Sequence, residues 1–486
     1  METLDEIWDG DLLGRRGEAE DLVGFLESVT ARPSIREDGH AYVLAVDASY
    51  GQGKTFFLRR LARHMAATEH AVAFVDAWVD DLEDEPMVAL AATLETALEP
   101  WIEKDRDVAE GLARFRAKAG RVAKIVGTGL LKRGVGFLIT QGAAEALGSE
   151  LDKAGEVARD IDKDALKGAG AGMVDDAAKA LGEIATPSME ARIQRFREGQ
   201  QAIREMKEGL GEIVEALVAA GMKLPVTIII DELDRCRPTY AIKLLEEVKH
   251  LFDVAGVAFV LGLHGEQLAH SVTAAYGTGF DGNAYLRRFF SRRYALRDAP
   301  LKPLIDKLFQ DLVIPTQRLV HPPIVSTSSL VPDSYDASSF IAAYMDAYGL
   351  KARDAFQLME MLQTSAALTA SNKLLLVYLI PLIIAHMTNV SLPTSDQADP
   401  KWHVAIARTN KSPALWHPDK LAAEIDKARR LHDEELENVS SSPANLINPM
   451  IARIRSNLPD DSYARPENYR RLIQTAKRFT SSEGDA

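Results

Sequence analysis

The stretch Val43-Leu44-Ala45-Val46-Asp47-Ala48-Ser49-Tyr50-Gly51-Gln52-Gly53-Lys54-Thr55 decides the fold. A short apolar run enters a glycine-containing loop, and Gly-Lys-Thr then opens a helical pattern over residues 56–65. Strand, loop and helix in that order suit phosphate binding. Backbone N–H groups of such a loop wrap phosphate oxygens, and its lysine meets the β- and γ-phosphates. The threonine hydroxyl ligates Mg²⁺, and the helix N-terminus adds a favourable dipole. The usual pattern is G-x-x-x-x-G-K-[ST]; here Ala48 holds the first position, a small residue that fits the turn. The expected nucleotide-binding set is Ala48, Gly51, Gln52, Gly53, Lys54, Thr55 and Phe56, with Thr55 as a metal ligand.

Working outward, Val226-Thr227-Ile228-Ile229-Ile230 reads as a buried parallel strand. It ends in Asp231-Glu232. Asp231 is expected to hold magnesium through water and to belong to the binding set, and Glu232 to orient and polarise the attacking water. The plain alternative is a strand ending in solvated acids. A third strand, 257–263, follows a helical segment over 240–252, and ligands sit at the C-terminal edge of such sheets. His264 stands at that edge, as a γ-phosphate sensor or as an ordinary surface group.

These residues resemble a family. Asp231-Glu232-Leu233-Asp234-Arg235-Cys236-Arg237-Pro238 is similar to the "DDLDRC-x-P" motif of the KAP family of P-loop NTPases. Residues 244–252 and 257–268 resemble that family's next helix and strand, and Asp11-Leu12-Leu13-Gly14-Arg15 and Ala77-Trp78 also fit. The likeness spans about residues 8 to 300, with gaps. Three positions depart: Glu232 for Asp, His264 for Asp, and Arg287-Arg288 where Glu-Lys is frequent. The resemblance implies a P-loop parallel sheet of the additional-strand (AAA+/STAND-like) type, an α/β fold, binding ATP with Mg²⁺. It also implies roles in defence against phage or in organising membrane complexes.

Composition fits a large globular chain. Its 486 residues accommodate two or three domains, with 47% hydrophobic and 26% charged residues. A net charge of −14 argues against broad nucleic-acid binding, while a local basic patch stays open. Cys236, the single cysteine, excludes an internal disulfide framework and a cysteine-rich metal site. It reads as a small buried residue. The acidic start Met1-Glu2-Thr3-Leu4-Asp5-Glu6 is no signal peptide, which points to the cytoplasm.

Many KAP proteins carry membrane spans between the two nucleotide motifs, and this chain has a long insertion there. Its most apolar part, residues 125–140, is split by Lys132-Arg133, whereas a span needs about 20 mostly apolar residues. It is Gly-rich and amphipathic, suited to packing on its own domain, to a partner, or to peripheral membrane contact. Residues 374–385 are apolar but short and contain Pro381, and read as a buried helix.

The expected organisation is 1–95 as the N-terminal part of the P-loop domain, 96–222 as a helical insertion, 223–298 as the rest of that domain, and 299–486 as a helical C-terminal domain. Within the insertion, Ile193, Phe196, Ile203, Met206, Leu210, Ile213 and Leu217 recur at helical spacing and mark a core-facing helix over 189–219. Loops are expected at 320–335 and 392–400. Arg287, Arg288, Arg292, Arg293 and Arg297 cluster together. They form a solvated face, or supply Arg287 or Arg288 as a catalytic finger from the same or a neighbouring subunit. Arg353, at an expected helix start, is a second candidate sensor beside the surface-arginine alternative. The reading is a magnesium-dependent ATPase working with a protein partner or by self-assembly. The rival is a nucleotide-binding switch or scaffold with little turnover.

Overall fold

A computed structural model describes residues 2–31, 41–82, 85–102, 106, 108–117, 189–251, 254–321, 324–325, 336–369, 373–389, 404–408, 411–416 and 466–479. The chain forms two compact units. The first comprises 1–9, 17–49 and 54–296; the second comprises 10–16, 50–53 and 297–486.

The first unit holds, in order, α1 (Leu4–Ile7), α2 (Arg16–Thr30), β1 (Tyr42–Asp47), α3 (Lys54–Ala67), β2 (His70–Asp76), α4 (Ala77–Asp80), α5 (Pro86–Ile102), α6 (Met189–Ala219), β3 (Lys223–Asp231), α7 (Pro238–Val248), β4 (Val257–Leu263), α8 (Gly265–Tyr276), α9 (Gly282–Leu286) and β5 (Arg292–Ala295). Residues 108–117 are also helical. The five strands form one parallel sheet in the order β2-β3-β4-β1-β5. The P-loop strand β1 and the acid-bearing strand β3 are therefore not neighbours; β4 lies between them, paired to both. That inserted strand is the additional-strand arrangement expected from the sequence.

The strands are apolar throughout because both sheet faces are covered, so alternate side chains enter different cores. Val43, Ala45, Ile228, Ile230, Phe259 and Leu261 join one cluster with α5, α6 and α7. Leu44, Val46, Ile229, Ala258 and Val260 join the other, with α2 and α3. Helix α6 buries Met206, Leu210, Ile213 and Leu217 as its spacing predicts, but Ile193 is 45% exposed, so the core-facing stripe does not reach the first turns. The side chain of Phe196 lies outside the described residues, as do residues 118–188 with the 125–140 segment.

The second unit contains α10 (Lys302–Asp311), β6 (Leu319–Val320), β7 (Ile324–Val325), α11 (Ala337–Ala347), α12 (Ala352–Leu368), β8 (Leu374–Leu375), α13 (Leu376–Thr388), β9 (Val404–Arg408), β10 (Lys411–Trp416) and α14 (Pro466–Ala476). Its core is built from α10–α13 and α14. The apolar run at 374–385 is buried as expected, with Pro381 inside α13. The sequence reading missed the strands: β9 pairs antiparallel with β10 and with β7, and β6 pairs with β8. The loop expected at 320–335 is interrupted by β7, which pairs with β9; its remainder at 326–335, and the loop expected at 392–400, lie outside the described residues. Among those described, no helix is long and apolar enough to cross a membrane.

Candidate functional site

Strand β1 ends at Asp47, and Ala48 stays buried, its N–H donating to Leu263 O at 3.2 Å. Gly51 and Gly53 follow with φ of +82° and +84°, a left-handed conformation that glycine adopts without steric cost. Helix α3 then begins at Lys54, which places the lysine and Thr55 at a helix N-terminus. Phe56 is partly exposed, with the Arg60 guanidinium 4.3 Å from its ring centroid.

Loop residues 50–53 count with the second unit, where they are tightly held. The Arg353 N–H donates to Gly51 O at 3.2 Å, and a Cβ on Gly51 would come within 3.0 Å of Arg353 Cβ. Arg15 is 1% exposed and donates to Gln52 O (2.9 Å) and Arg297 O (2.8 Å). Gln52 Nε2 and Lys351 Nζ both donate to Asp298 Oδ1, at 2.8 and 2.6 Å. The hydrogen bond from Lys351 holds the Asp298 carboxyl below its ordinary value.

In the first unit the end of β3 supplies the acids. Asp231 is 0% exposed, and its Oδ1 accepts the Glu232 N–H at 2.8 Å. Glu232 adopts φ +60°, ψ +26°, a left-handed conformation costing a non-glycine residue about 1–3 kcal/mol. That kink starts the tight turn Leu233–Arg235 and brings Asp234 to Lys54. Lys54 Nζ lies 2.7 Å from Asp234 Oδ1, and Thr55 Oγ1 donates to Glu232 Oε1 at 3.2 Å. Glu232 Oε1 also pairs with Arg235 Nη1 at 2.9 Å, and the Arg235 guanidinium lies 5.6 Å from the centroid of Trp78.

Electrostatics separate the acids. Burial pushes the Asp231 carboxyl up, outweighing the charge of Lys54 and the hydrogen bond from Thr55. Burial would raise Asp234 too, but the charge and hydrogen bond of Lys54 hold it below the ordinary value. Asp231 Oδ2 and Asp234 Oδ2 are buried without a hydrogen-bond partner among the described residues. With Thr55 Oγ1 they form a set of hard oxygen donors, the chemistry that suits Mg²⁺. Among the described residues no group of three or more His, Cys, Asp or Glu forms a metal cage. Mg²⁺ at phosphate sites commonly uses one or two protein oxygens plus phosphates and water.

The structure thus brings together Lys54, Thr55, Asp231 and Glu232. It does not join Arg287 and Arg288 to them: both are exposed just after α9, their backbone N–H groups bond back into that helix, and neither side chain makes a hydrogen bond or ion pair among the described residues. Arg293 instead reaches Asp47 at 3.4 Å. His264 is half-buried before α8, and its side chain does not cap that helix. Cys236 is buried, its Sγ 3.6 Å from Glu232 O, and burial pushes the thiol up. Sequence reasoning missed the anchoring of Lys54 by Asp234, the Arg235–Trp78 contact and the hold of Arg15 on Gln52. The repeated acids at 231, 232 and 234 were the available signal.

The model of the KAP family P-loop domain matches residues 15–317. The chain belongs to the KAP family. This KAP protein therefore carries a P-loop nucleotide-binding domain, in keeping with the strand order and the loop geometry above. No curated protein matches it. Among solved structures it is similar to the Aeropyrum pernix ORC2 protein in its ADPNP–ADP complexes, at 12% identity and a TM-score of 0.30, over 95% of this chain and 86% of that one. The ADP form of ORC2 gives 11% identity and a TM-score of 0.29, over 95% and 85%.

Proposed function

We propose that this KAP protein binds ATP with Mg²⁺ and hydrolyses it, and that turnover drives a conformational change or assembly. The observation that carries the reading is the convergence of Lys54, Thr55 and three buried carboxylates at the C-terminal ends of β1 and β3. Lys54 exchanges Asp234 for the β- and γ-phosphates, while N–H groups of the loop and of the first turn of α3 surround them. Thr55 and Asp231 would hold Mg²⁺, which when bound neutralises charge on the phosphate oxygens. Glu232 accepts a proton from water as the water oxygen bonds to the γ-phosphorus. The bond from that phosphorus to the bridging oxygen breaks, leaving ADP and phosphate. Arg287 or Arg288 is assigned as the finger, in cis or from a second subunit.

A second reading is favoured by one feature: Glu232 is already paired with Arg235. A protein that binds ATP and keeps its acid so occupied is a switch acting through a partner, with little turnover. We assign 1–95 and 223–298 to the nucleotide domain, 96–222 to an insertion and 299–486 to a C-terminal domain. A cytoplasmic setting, a protein partner and a part in phage defence rest on the reading of the sequence and the family resemblance.

Calorimetry with ATP and Mg²⁺ on the wild type and Lys54→Ala tests the binding claim. The wild type binds, and the variant loses most of its affinity because it lacks the cationic side chain that the loop presents to the β- and γ-phosphates. Equal affinity in both would sink the assignment. A turnover assay on the same protein separates the two readings, since the switch binds ATP without consuming it.

A further inference from the structure

Three side chains beside the site have a relationship that hydrolysis by itself does not require. Glu232 Oε1 is shared between Thr55 Oγ1 at 3.2 Å and Arg235 Nη1 at 2.9 Å. Arg235 closes the tight turn that follows Glu232, three residues on, so the pair is local and built by the turn itself. The Arg235 N–H also donates to Glu232 O at 3.0 Å, fixing the spacing of the pair. On its other side the guanidinium faces Trp78, 5.6 Å from the ring centroid. Trp78 stands on α4, directly after β2, and is 51% exposed, with Val79 and Leu82 exposed beside it at 58% and 94%. An aromatic ring left in solvent contributes little to the core.

From this geometry we propose that Arg235 is a positioning residue that restrains Glu232, and that Trp78 holds Arg235 in the restraining position. The proposal rests on Glu232 being the group that accepts the proton from water. Held between Arg235 and Thr55, the Glu232 Oε1 is fixed by its turn and aimed at Thr55 rather than at a water. Release of Arg235 lets the Glu232 carboxylate turn away from Thr55 toward a water, while Lys54, Thr55 and Asp231, which bind the nucleotide, keep their places at the ends of the strands. Arg235 therefore acts on the rate of the chemical step and leaves ATP binding alone.

The test measures kcat and KM for ATP with Mg²⁺ on the full chain, with thermal unfolding as a control for folding. Arg235→Ala is expected to raise kcat about three- to tenfold, the range that a partly exposed ion pair and a charge-assisted hydrogen bond support. KM stays within about twofold, because the phosphate-binding groups are untouched. Arg235→Lys keeps a cation beside Glu232 and returns kcat toward the wild type. Trp78→Ala raises kcat part of the way, and Trp78→Phe, which keeps a ring, does not. If Arg235→Ala fails to fold, the Trp78 pair carries the same test.

A kcat that is unchanged or lower in Arg235→Ala, or no turnover in either protein, overturns the proposal. So does an Arg235→Lys variant as fast as Arg235→Ala. Glu232→Gln in the Arg235→Ala background separates this failure from that of the hydrolytic reading. If the double variant still turns over at the faster rate, Arg235 restrains something other than Glu232 and the assignment of Glu232 itself is wrong.

Discussion

Gly262 lies near the end of β4, under Asp231. A Cβ there would stand 2.3 Å from Leu58 Cδ1 and 2.5 Å from Asp231 Oδ1. Both neighbours are fully buried, so neither has space to retreat. Gly262→Ala must move Leu58, Asp231 or the strand. Overpacking of this kind costs about 1–3 kcal/mol. For a unit of this size, 1 kcal/mol corresponds to roughly 2–4 °C in Tm, giving a fall of roughly 2–12 °C. Gly24 in α2 is the matched control, since a Cβ there meets nothing within 4 Å. Adding the same methyl at that helical position should stabilise by about 0.5–1 kcal/mol. The assay is thermal unfolding of the wild type and both variants, each with and without ATP and Mg²⁺. Gly262→Ala should melt early and gain less from the nucleotide, because Asp231 has been pushed off its place. A Gly262→Ala protein as stable as the wild type, with the full nucleotide-induced gain, would refute the reasoning.

Two further substitutions probe buried charge. Asp234→Ala leaves the mostly buried Lys54 ammonium without its 2.7 Å partner, which should cost roughly 3–5 kcal/mol in the nucleotide-free protein. ATP should then raise the Tm of this variant more than that of the wild type, since phosphate takes the place of the lost carboxylate; an equal gain would show that Lys54 does not exchange partners. Glu247, fully buried in α7, has its carboxyl pushed up to about 7 by burial, with Glu85 and Glu246 adding to the rise and Lys243 opposing it. Its folded value exceeds its unfolded 4.5, so the proton it holds stabilises the fold fully below about 4.5, and that contribution is lost as pH rises through about 7. The contribution is on the order of 3 kcal/mol. Glu247→Gln should therefore gain stability relative to the wild type between pH 5 and pH 8, read from urea midpoints, and a difference that does not change with pH would contradict the origin given.

Much of this was legible in the sequence because local signals and the global fold agree. β4 matches its expected span, and α6 begins and ends at the expected residues. A β-branched run buried on both sheet faces has few other homes, and the helical period of α6 is long. The identity of the two motifs also fixed which strand ends carry Lys54 and Asp231. What stayed hidden depends on turns. The left-handed Glu232 is unusual for a bulky residue, and nothing in its neighbours announces it. Without that kink, Asp234 and Arg235 read as solvated charges rather than as partners of Lys54 and Glu232. The hold of Arg15 on Gln52 joins residues 37 positions apart through a backbone oxygen, which leaves no trace in side-chain pattern. The strands β6 to β8 are two residues each, too short for an alternation to register.

The most direct test of the central claim is single-turnover hydrolysis of ATP by Glu232→Gln beside the wild type. The account predicts that the wild type converts bound ATP to ADP and phosphate. The variant should bind ATP with similar affinity and hydrolyse it at least about a hundredfold more slowly, the lower range for losing a general base. Wild-type rates in Glu232→Gln would contradict the account and move the proton to another carboxylate, with Asp234 the nearest in the turn.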